Sequence, residues 1–440
     1  MSARSGVFIA SLACSLLAAR APARDTWILR TDLWGTPAFS TATLDTTDGR
    51  VAGDVDGDRV EGHARGAALE FTSTDSLGHV SRYSLKRSGT RLAGYADLPD
   101  TNDPAARAQH AVTAWRVPDR VGGARTFDYA PTDYSNTWNA DRAPVLVVWP
   151  GDSIHTTTID SGGVDEHGKT RALFGNPQTG PFFIAGAAPG DTLVIHIERL
   201  SLNRDYADSL DTIVGHALAT PLVAEAGELG KPVRWILDRK TNRAHPEKAS
   251  GALANYSVPL KPMLGGMAVA PGFGMPPIST GDTGRNGGNM DFNEVVEGNT
   301  VYLPVQQPGA LLYFGDAHAL QGDGETTQYA LETSMEVTIR VDLIKGRSVT
   351  MPRVESRDEI MVLGQAGSLD DALKAASGGM VQWLEQDYGL TLSQAAQVLG
   401  TAMRYSVPNL AGRSVGVAAR IPKALLPVAP LHPVQREHDI

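Results

Sequence analysis

The sequence predicts a mainly β protein, with a small all-β unit at residues 25–142 and a β-rich body at residues 143–426 that carries a minor α/β portion. Three observations predict it. From Asp25 onward, short runs of alternating apolar and polar residues broken by Gly, Asp and Asn recur with the period of half-buried strands. The same alternation runs through the body, where Leu331, Thr333, Met335, Val337, Ile339 and Val341 share one face of a strand and Glu332, Glu336, Arg340 and Asp342 share the other. Helical spacing is confined to two late stretches, Ser368 to Tyr388 and Thr391 to Tyr405.

Ahead of the first strand, Arg4, the apolar run Val7 to Ala19 and the small-residue stretch Ala21-Pro22-Ala23 make residues 1–23 an export signal, cut after Ala21 or Ala23. The run is too short for a membrane span, which needs about 20 apolar residues. Cys14, the only cysteine, lies inside it. Ser11-Leu12-Ala13 is a poor lipoprotein match, so the mature chain is expected to be exported, periplasmic or secreted, and free of thiols. That excludes thiol catalysis and cysteine-based zinc sites. An acidic balance of 39 Lys and Arg against 49 Asp and Glu argues against nucleic acid or an anionic membrane surface as partner.

In the first unit, strands are expected at Thr26 to Arg30, Ala38 to Leu44, Arg50 to Val55, Asp58 to His63, Ala68 to Thr72, His79 to Leu85 and Arg91 to Ala96. The pair Asp56-Gly57 between two of them is a hairpin signal. Asp54-x-Asp56-Gly57-Asp58 also begins like a calcium loop, but the position that needs a bidentate acid is Arg65, so the turn is preferred. His63 and His79 read as solvated. Residues 98–110 are turn-rich and read as a linker. Tyr129, Tyr134 and Trp138 lie in another loop-like stretch, Asp128 to Pro144; packing onto the body is preferred over sugar stacking.

The body opens with the apolar run Ala143 to Pro150 and a strand from Ile154 to Asp160. On that strand His155 and Asp160 fall on opposite faces, and glycines after it let Asp160 turn toward a site. His196 and Glu198 share a face of a later strand and read as solvated or cross-strand paired. In the first predicted helix, Ser-Leu-Asp-Asp starts the chain turn and Leu369, Leu373, Ala376, Met380 and Leu384 form the core stripe. Residues 427–440 form a Pro-rich, flexible tail.

Chemistry is densest at Gly287-Gly288-Asn289-Met290-Asp291 and at Gly315-Asp316-Ala317-His318-Ala319-Leu320-Gln321-Gly322-Asp323-Gly324-Glu325. Asp316 and His318 are two apart, so an extended segment points both the same way. An imidazole with several hard oxygen donors suits zinc or a similar divalent ion, which polarises a carbonyl and acidifies water. A nearby carboxylate, preferably Glu325, then takes the proton from that water and returns it to the leaving amine. No G-x-S-x-G elbow is present, and the glycine-rich stretch 281–288 lacks the Gly-Lys-Ser/Thr of a phosphate loop.

These stretches, with Gly186-Ala187-Ala188-Pro189-Gly190-Asp191-Thr192-Leu193, Ala268-Val269-Ala270-Pro271, Leu303-Pro304-Val305, Pro352-Arg353-Val354-Glu355 and Gly416 to Lys423, resemble the acetamidase/formamidase family of amide hydrolases, in family order over residues 145–426. The resemblance implies a β-sandwich-like body and hydrolysis of a linear amide to a carboxylate and ammonia or an amine. The residues assigned to this are Asp316 and His318 as metal ligands, Asp291 as a further ligand or orienter, Glu325 as general base and Asn289 as donor to the carbonyl oxygen. Asp160, Asp323 and Glu332 are placed around them, contacting substrate or supporting the ligands. Which carboxylate binds the ion and which moves the proton stays open. The expected metal is zinc, with no organic cofactor and no membrane insertion after signal removal; a homo-oligomer is compatible. The family is usually met without an export signal or a unit like residues 25–142, so the alternative is an exported, non-catalytic protein that holds a saccharide or partner on the same body.

Overall fold

The computed structural model describes residues 24–103 and 105–431, so the expected export signal and the tail beyond 431 lie outside the described residues. Two compact units divide the chain, one of residues up to Thr31 with Ser40–Arg116, the other of Asp32–Phe39 with Val117 onward. With 45% strand against 12% helix, the protein is mainly β.

The first unit is a closed barrel of eight antiparallel strands, Asp25–Leu33, Thr36–Asp45, Arg50–Val55, Asp58–Arg65, Ala68–Thr74, Val80–Ser88, Arg91–Pro99 and Arg107–Arg116. Alternation decides what enters it: from Ala68–Thr74 the buried residues are Leu69, Phe71 and Ser73. Trp27, Leu29, Leu44, Val51, Leu85 and Leu92 fill the interior, and Phe71 stacks on Tyr83 with ring centroids 4.7 Å apart. Side chains therefore occupy the space that an eight-stranded barrel encloses. At the hairpin, Asp56 and Gly57 take positive φ of 51° and 95°, and the Asp56 carboxylate accepts from the Thr41 amide at 2.8 Å, so the acidic run is a turn. His63 and His79 sit at the surface beside Glu70 and Asp75.

One barrel strand departs from expectation. Residues 107–110 belong to Arg107–Arg116, the strand that closes the barrel by pairing Trp27 with Arg116 through Thr31 with Val112, and are not linker. Its inward residues, His110, Val112 and Ala114, are polar or small, which left little hydrophobic contrast to read.

The body is a sandwich of two sheets. One runs in the order Val258–Pro259, Arg243–Pro246, Pro232–Asp238, Tyr206–Leu210, Glu332–Thr333, Leu312–His318, Met263–Ala268, Gly287–Asn289 and Thr283–Gly284, with Gln178–Ile184 also paired to Leu312–His318. The other has nine strands in the order Arg404–Ser406, Val415–Pro422, Glu359–Ala366, Arg353–Glu355, Thr300–Pro304, Thr192–Leu202, Met335–Ile344, Ser153–Thr158 and Thr126–Tyr129. Phe182, Leu264, Met267, Leu312 and Phe314 from the first meet Ile154, Leu193, Ile195, Val337 and Ile339 from the second in one buried core. Burial on this scale, at about 25 cal/mol per Å² of apolar surface, is what holds the layers together.

Residues 117–142, grouped by sequence with the appendage, contribute strands to the body: Thr126–Tyr129 pairs with Ser153–Thr156, and Thr137–Trp138 with Ile278–Ser279. Strands of four and two residues are too short to show a period. Trp138 is fully buried against Tyr313, and Tyr129 packs edge-on to Phe182. His155 pairs at the surface with Asp128, while His196 meets Thr300 and Asp342 across strands.

The helix Leu369–Tyr388 starts where Ser368 caps the Asp371 amide and ends at Gly389 in left-handed backbone, φ 66°. Its buried face is Ala372, Ala376, Gly379, Met380, Trp383 and Leu384, packed on Ile360, Val362, Val417 and Ile421. Leu369 and Leu373, expected in the core stripe, are exposed. The reason is close approach: a Cβ on Gly364 would lie 1.8 Å from the Ala372 carbonyl, so small residues face the sheet and the leucines turn outward.

Candidate active site and metal centre

A cleft of about 190 Å³ opens on the first sheet, and Asn176, Asn289, Asp291, Asp316, Glu325 and Glu332 line it. The strand Leu312–His318 supplies two of the key groups. Its register against Met263–Ala268 is continuous, Met263 to His318, Leu264 to Ala317 and Gly266 to Gly315, but the ladder skips the Gly265–Asp316 position. At the skipped position Asp316 takes left-handed backbone with φ 57°. Asp291 (φ 42°) and Glu325 (φ 40°) are held the same way. Such backbone costs a non-glycine residue on the order of 1–3 kcal/mol and clusters where side chains must be aimed for a purpose.

Gly265 shows what the aim achieves. A Cβ there would sit 2.5 Å from both Asp291 Oδ1 and Asp316 Oδ2, so only glycine lets these two carboxylates converge. Likewise a Cβ on Gly266 would meet Gln178 Oε1 at 2.5 Å. His318 lies beside them, its Nε2 3.4 Å from Asp316 Oδ1 and 3.1 Å from Glu332 Oε1. Glu332 arrives because the run 331–343 changes sheets: Glu332–Thr333 pairs with Ala317–His318, whereas Met335 onward joins the other layer. Instead of standing on the solvated face with Glu336, Glu332 is buried. Two trios result, Asp291, Asp316 and His318, and His318, Glu325 and Glu332, each with ligand atoms within 4.8 Å of one another.

Gln321 decides the state of the imidazole. Its amide nitrogen donates to the backbone carbonyls of Asp291 and Pro408, which turns its Oε1 toward His318 Nδ1 at 2.8 Å. The acceptor faces Nδ1, so Nδ1 carries a proton, and Nε2 is the nitrogen turned to the acids and left to bind a cation when the imidazole is neutral. Asp291 Oδ1, His318 Nε2 and Glu332 Oε2 are buried without a hydrogen-bond partner. A lone pair and carboxylate oxygens crowded together and unpaired are donors that a divalent cation satisfies, and the set of imidazole and hard oxygens suits zinc chemistry.

Electrostatics point the same way. Burial, then the charges of Glu325 and Asp316, push the Asp291 carboxyl well above the carboxylate range. Burial, with Glu332 and Asp316 beside it, raises Glu325 to about 8, against the opposing pull of His318. Glu332 is raised by burial and by Asp316. On His318 burial opposes protonation, but the facing Glu332 and Asp316 outweigh it and raise the imidazole. So many buried acids are compatible only with bound protons or a bound cation.

Other placements follow. Asn289 donates to Asp291, which also accepts from Asn409 at 2.6 Å; Asn176 donates to Asn289 and, at 3.1 Å, to Asp316. Asp160 forms a buried pair with Arg204 at 2.7 Å, and Arg204 also donates to the Glu332 carbonyl at 3.1 Å, so Asp160 acts on the site through the main chain of Glu332. Asp323 is exposed and bonded to Asn293, away from the cleft lining. Sequence reasoning missed Asn176, Gln178, Arg204 and Asn409. The one local signal was Gly265-Gly266 inside an apolar strand, which marks close backbone approach.

Comparison with known proteins gives the same framework. Residues 216–402 match the model of the Acetamidase/Formamidase family. An acetamidase of Mycolicibacterium smegmatis is 44% identical over 63 residues, 14% of this chain and 16% of that protein, so the chain matches well under two thirds of its curated relatives' length. Among solved structures, an acetamidase from Yersinia enterocolitica superposes with a TM-score of 0.60 at 28% identity, covering 69% of this chain and 94% of the other. A predicted acetamidase/formamidase from Thermoanaerobacter tengcongensis gives 0.58 at 25%, covering 69% and 97%. Residues 216–402 thus carry the match to the Acetamidase/Formamidase family, the body has the fold of solved acetamidases, and the chain has in addition an N-terminal β-barrel.

Proposed function

We propose that the body hydrolyses the carbon–nitrogen bond of a small linear amide, giving a carboxylate and ammonia or an amine, at a zinc-type centre held by Asp291, Asp316 and His318. The observation that carries this is the orientation of His318, whose Nε2 is turned by Gln321 toward the unpaired carboxylate oxygens of Asp291 and Glu332. Bound there, the ion would supply Lewis acidity toward the amide carbonyl and toward water. The protein's own groups do the rest. Glu325, raised to about 8, takes a proton from the attacking water and delivers it to the departing nitrogen, a task best served by a pKa near the working pH. Asn289, at the cleft wall, donates to the carbonyl oxygen as negative charge develops on it. Arg204, anchored by Asp160, holds Glu332 against His318 and so keeps the second trio in place.

Export stands as part of the proposal, on residues 1–23. The test is ammonia release from formamide, acetamide and larger amides by the purified protein, before and after chelation, with metal analysis of the same sample. Turnover that chelation abolishes and zinc restores is expected. A protein that carries metal and releases no ammonia from any amide would make the body a binding module.

A further inference from the structure

The mouth of the cleft carries an aromatic wall. Phe174 and Tyr329 both line the cleft and meet edge-to-face, centroids 6.1 Å apart and planes at 80°. Phe174 is 66% exposed, an unusual position for a phenylalanine. It is not a loose residue. Asn136 Nδ2 reaches the carbonyls of Leu173, Phe174 and Gly175 at 3.3, 3.4 and 3.1 Å, the Asn176 amide bonds the Ser161 carbonyl at 3.0 Å, and Thr280 Oγ1 donates to the Gly175 carbonyl at 3.0 Å. On the other side the Tyr329 carbonyl accepts from Ser209 Oγ at 2.8 Å, with Tyr329 itself in left-handed backbone, φ 63°. Two residues beyond Phe174, Asn176 bonds Asp316. The wall is thus rigidly tied to the groups that would act on a carbonyl.

The remaining lining, Ser161, Ser279, Gln328 and Ala411, adds no cation to the mouth. Among the described residues that line the cleft none is basic and several are acidic, which disfavours an anionic substrate.

Resting on the hydrolase reading above, we infer that the substrate class is neutral primary amides whose acyl group carries a planar aromatic or apolar ring, laid against Phe174 and Tyr329 while the carboxamide reaches Asp316 and His318. A rigid aromatic face costs little ordering entropy to use, and a ring stacked on it gains about three- to tenfold in affinity.

Calorimetric titration of the full mature protein with benzamide and with acetamide tests this. Benzamide should bind about three- to tenfold more tightly. Phe174→Ala should bring the two affinities together, and Phe174→Gln, which keeps the bulk but loses the ring, should do the same. Equal affinities in the unaltered protein, tighter acetamide, absence of binding by both, or a benzamide preference that survives both substitutions would each overturn the inference. Since Phe174 is largely exposed, truncating it removes little core packing. Ammonia assays on the same samples separate the two readings. Ring preference that depends on Phe174 with no ammonia from either amide would remove the hydrolase and leave the binding class. Ammonia from acetamide without any ring preference would do the reverse.

Discussion

The barrel and the body are both β structures, but they treat charge in opposite ways. In the barrel the ion pairs described keep both partners at least partly exposed, as with Arg59 and Glu61 or Arg82 and Asp97, and the interior is mostly apolar. Exposed pairs of this kind contribute about 0–1 kcal/mol. The body instead buries Asp160, Arg204, Asp291, Asp316, His318, Glu325 and Glu332 within one region, three of them in left-handed backbone. A chain agrees with itself at every level where it only has to fold, and breaks local rules where it has a task. The barrel shows the first condition and the cleft the second.

The sharpest way to test that contrast is Glu325→Gln. If the buried acid moves protons, ammonia release should fall about 10²- to 10⁴-fold while the metal content measured on the same protein stays the same. Full turnover with metal bound would remove Glu325 from the chemistry. The contrasting change in the barrel is Phe71→Ala, which deletes a ring stacked on Tyr83. Its expected cost is about 3–5 kcal/mol of barrel stability, read as an earlier barrel transition in denaturant, with amide turnover per folded molecule retained.

The same contrast explains what could be read in advance. Barrel strands were legible because alternation is a local property: Arg50–Val55 begins and ends where the pattern puts it. The strand Arg107–Arg116 was not, because closure is set by geometry and its inward side chains are small or polar. In the helix Leu369–Tyr388 the start was legible from Ser368 and the acidic first turn and the buried face from Ala376, Met380 and Leu384, but not its first turns. Contact with Gly364 selected Ala372 and Ala376 over Leu369 and Leu373, and that selection lies in another strand. At the cleft, Asp291, Asp316, His318 and Glu325 stood out as a dense cluster, and the structure brings them together. Asn176, Gln178, Arg204 and Asn409 come from distant segments and resemble any other polar residues until the sheets are assembled. Asp323 shows the converse error, since proximity in sequence to Glu325 does not carry it into the cleft.

Crowded acids also give the body a pH dependence that reaches past neutrality. Glu325 moves from an ordinary 4.5 to about 8 in the folded, metal-free protein, and Asp291 and Glu332 move the same way. A carboxyl with a raised folded pKa binds its proton more tightly when folded. Its stabilising contribution is therefore full below the unfolded pKa and is lost as pH rises from about 4.5 to about 8. Chelated protein should accordingly melt at progressively lower temperature across that window. Adding zinc should flatten the dependence, because a divalent charge replaces the protons. A melting temperature of the chelated protein that rises from pH 5 to pH 8 would contradict the burial of these acids.

The smallest expected effect isolates the imidazole's orientation from the charges around it. Gln321 contacts no substrate-facing surface; its amide is locked by the Asp291 and Pro408 carbonyls and its oxygen accepts from His318 Nδ1. Gln321→Leu keeps similar bulk and removes that acceptor, so His318 is free to place its proton on Nε2 or to rotate. Losing such a partner weakens metal affinity by about 10- to 100-fold. Competition with a chromophoric chelator measures it, and the barrel transition in denaturant, which Gln321 does not touch, serves as the internal control for folding. Restoring an oxygen acceptor with Gln321→Glu should recover His318 orientation while adding another buried charge beside Asp291. Affinity for zinc should then exceed that of the leucine variant. Equal affinities for all three proteins would mean that the carboxylates alone hold the ion and that the tautomer fixed by Gln321 is incidental.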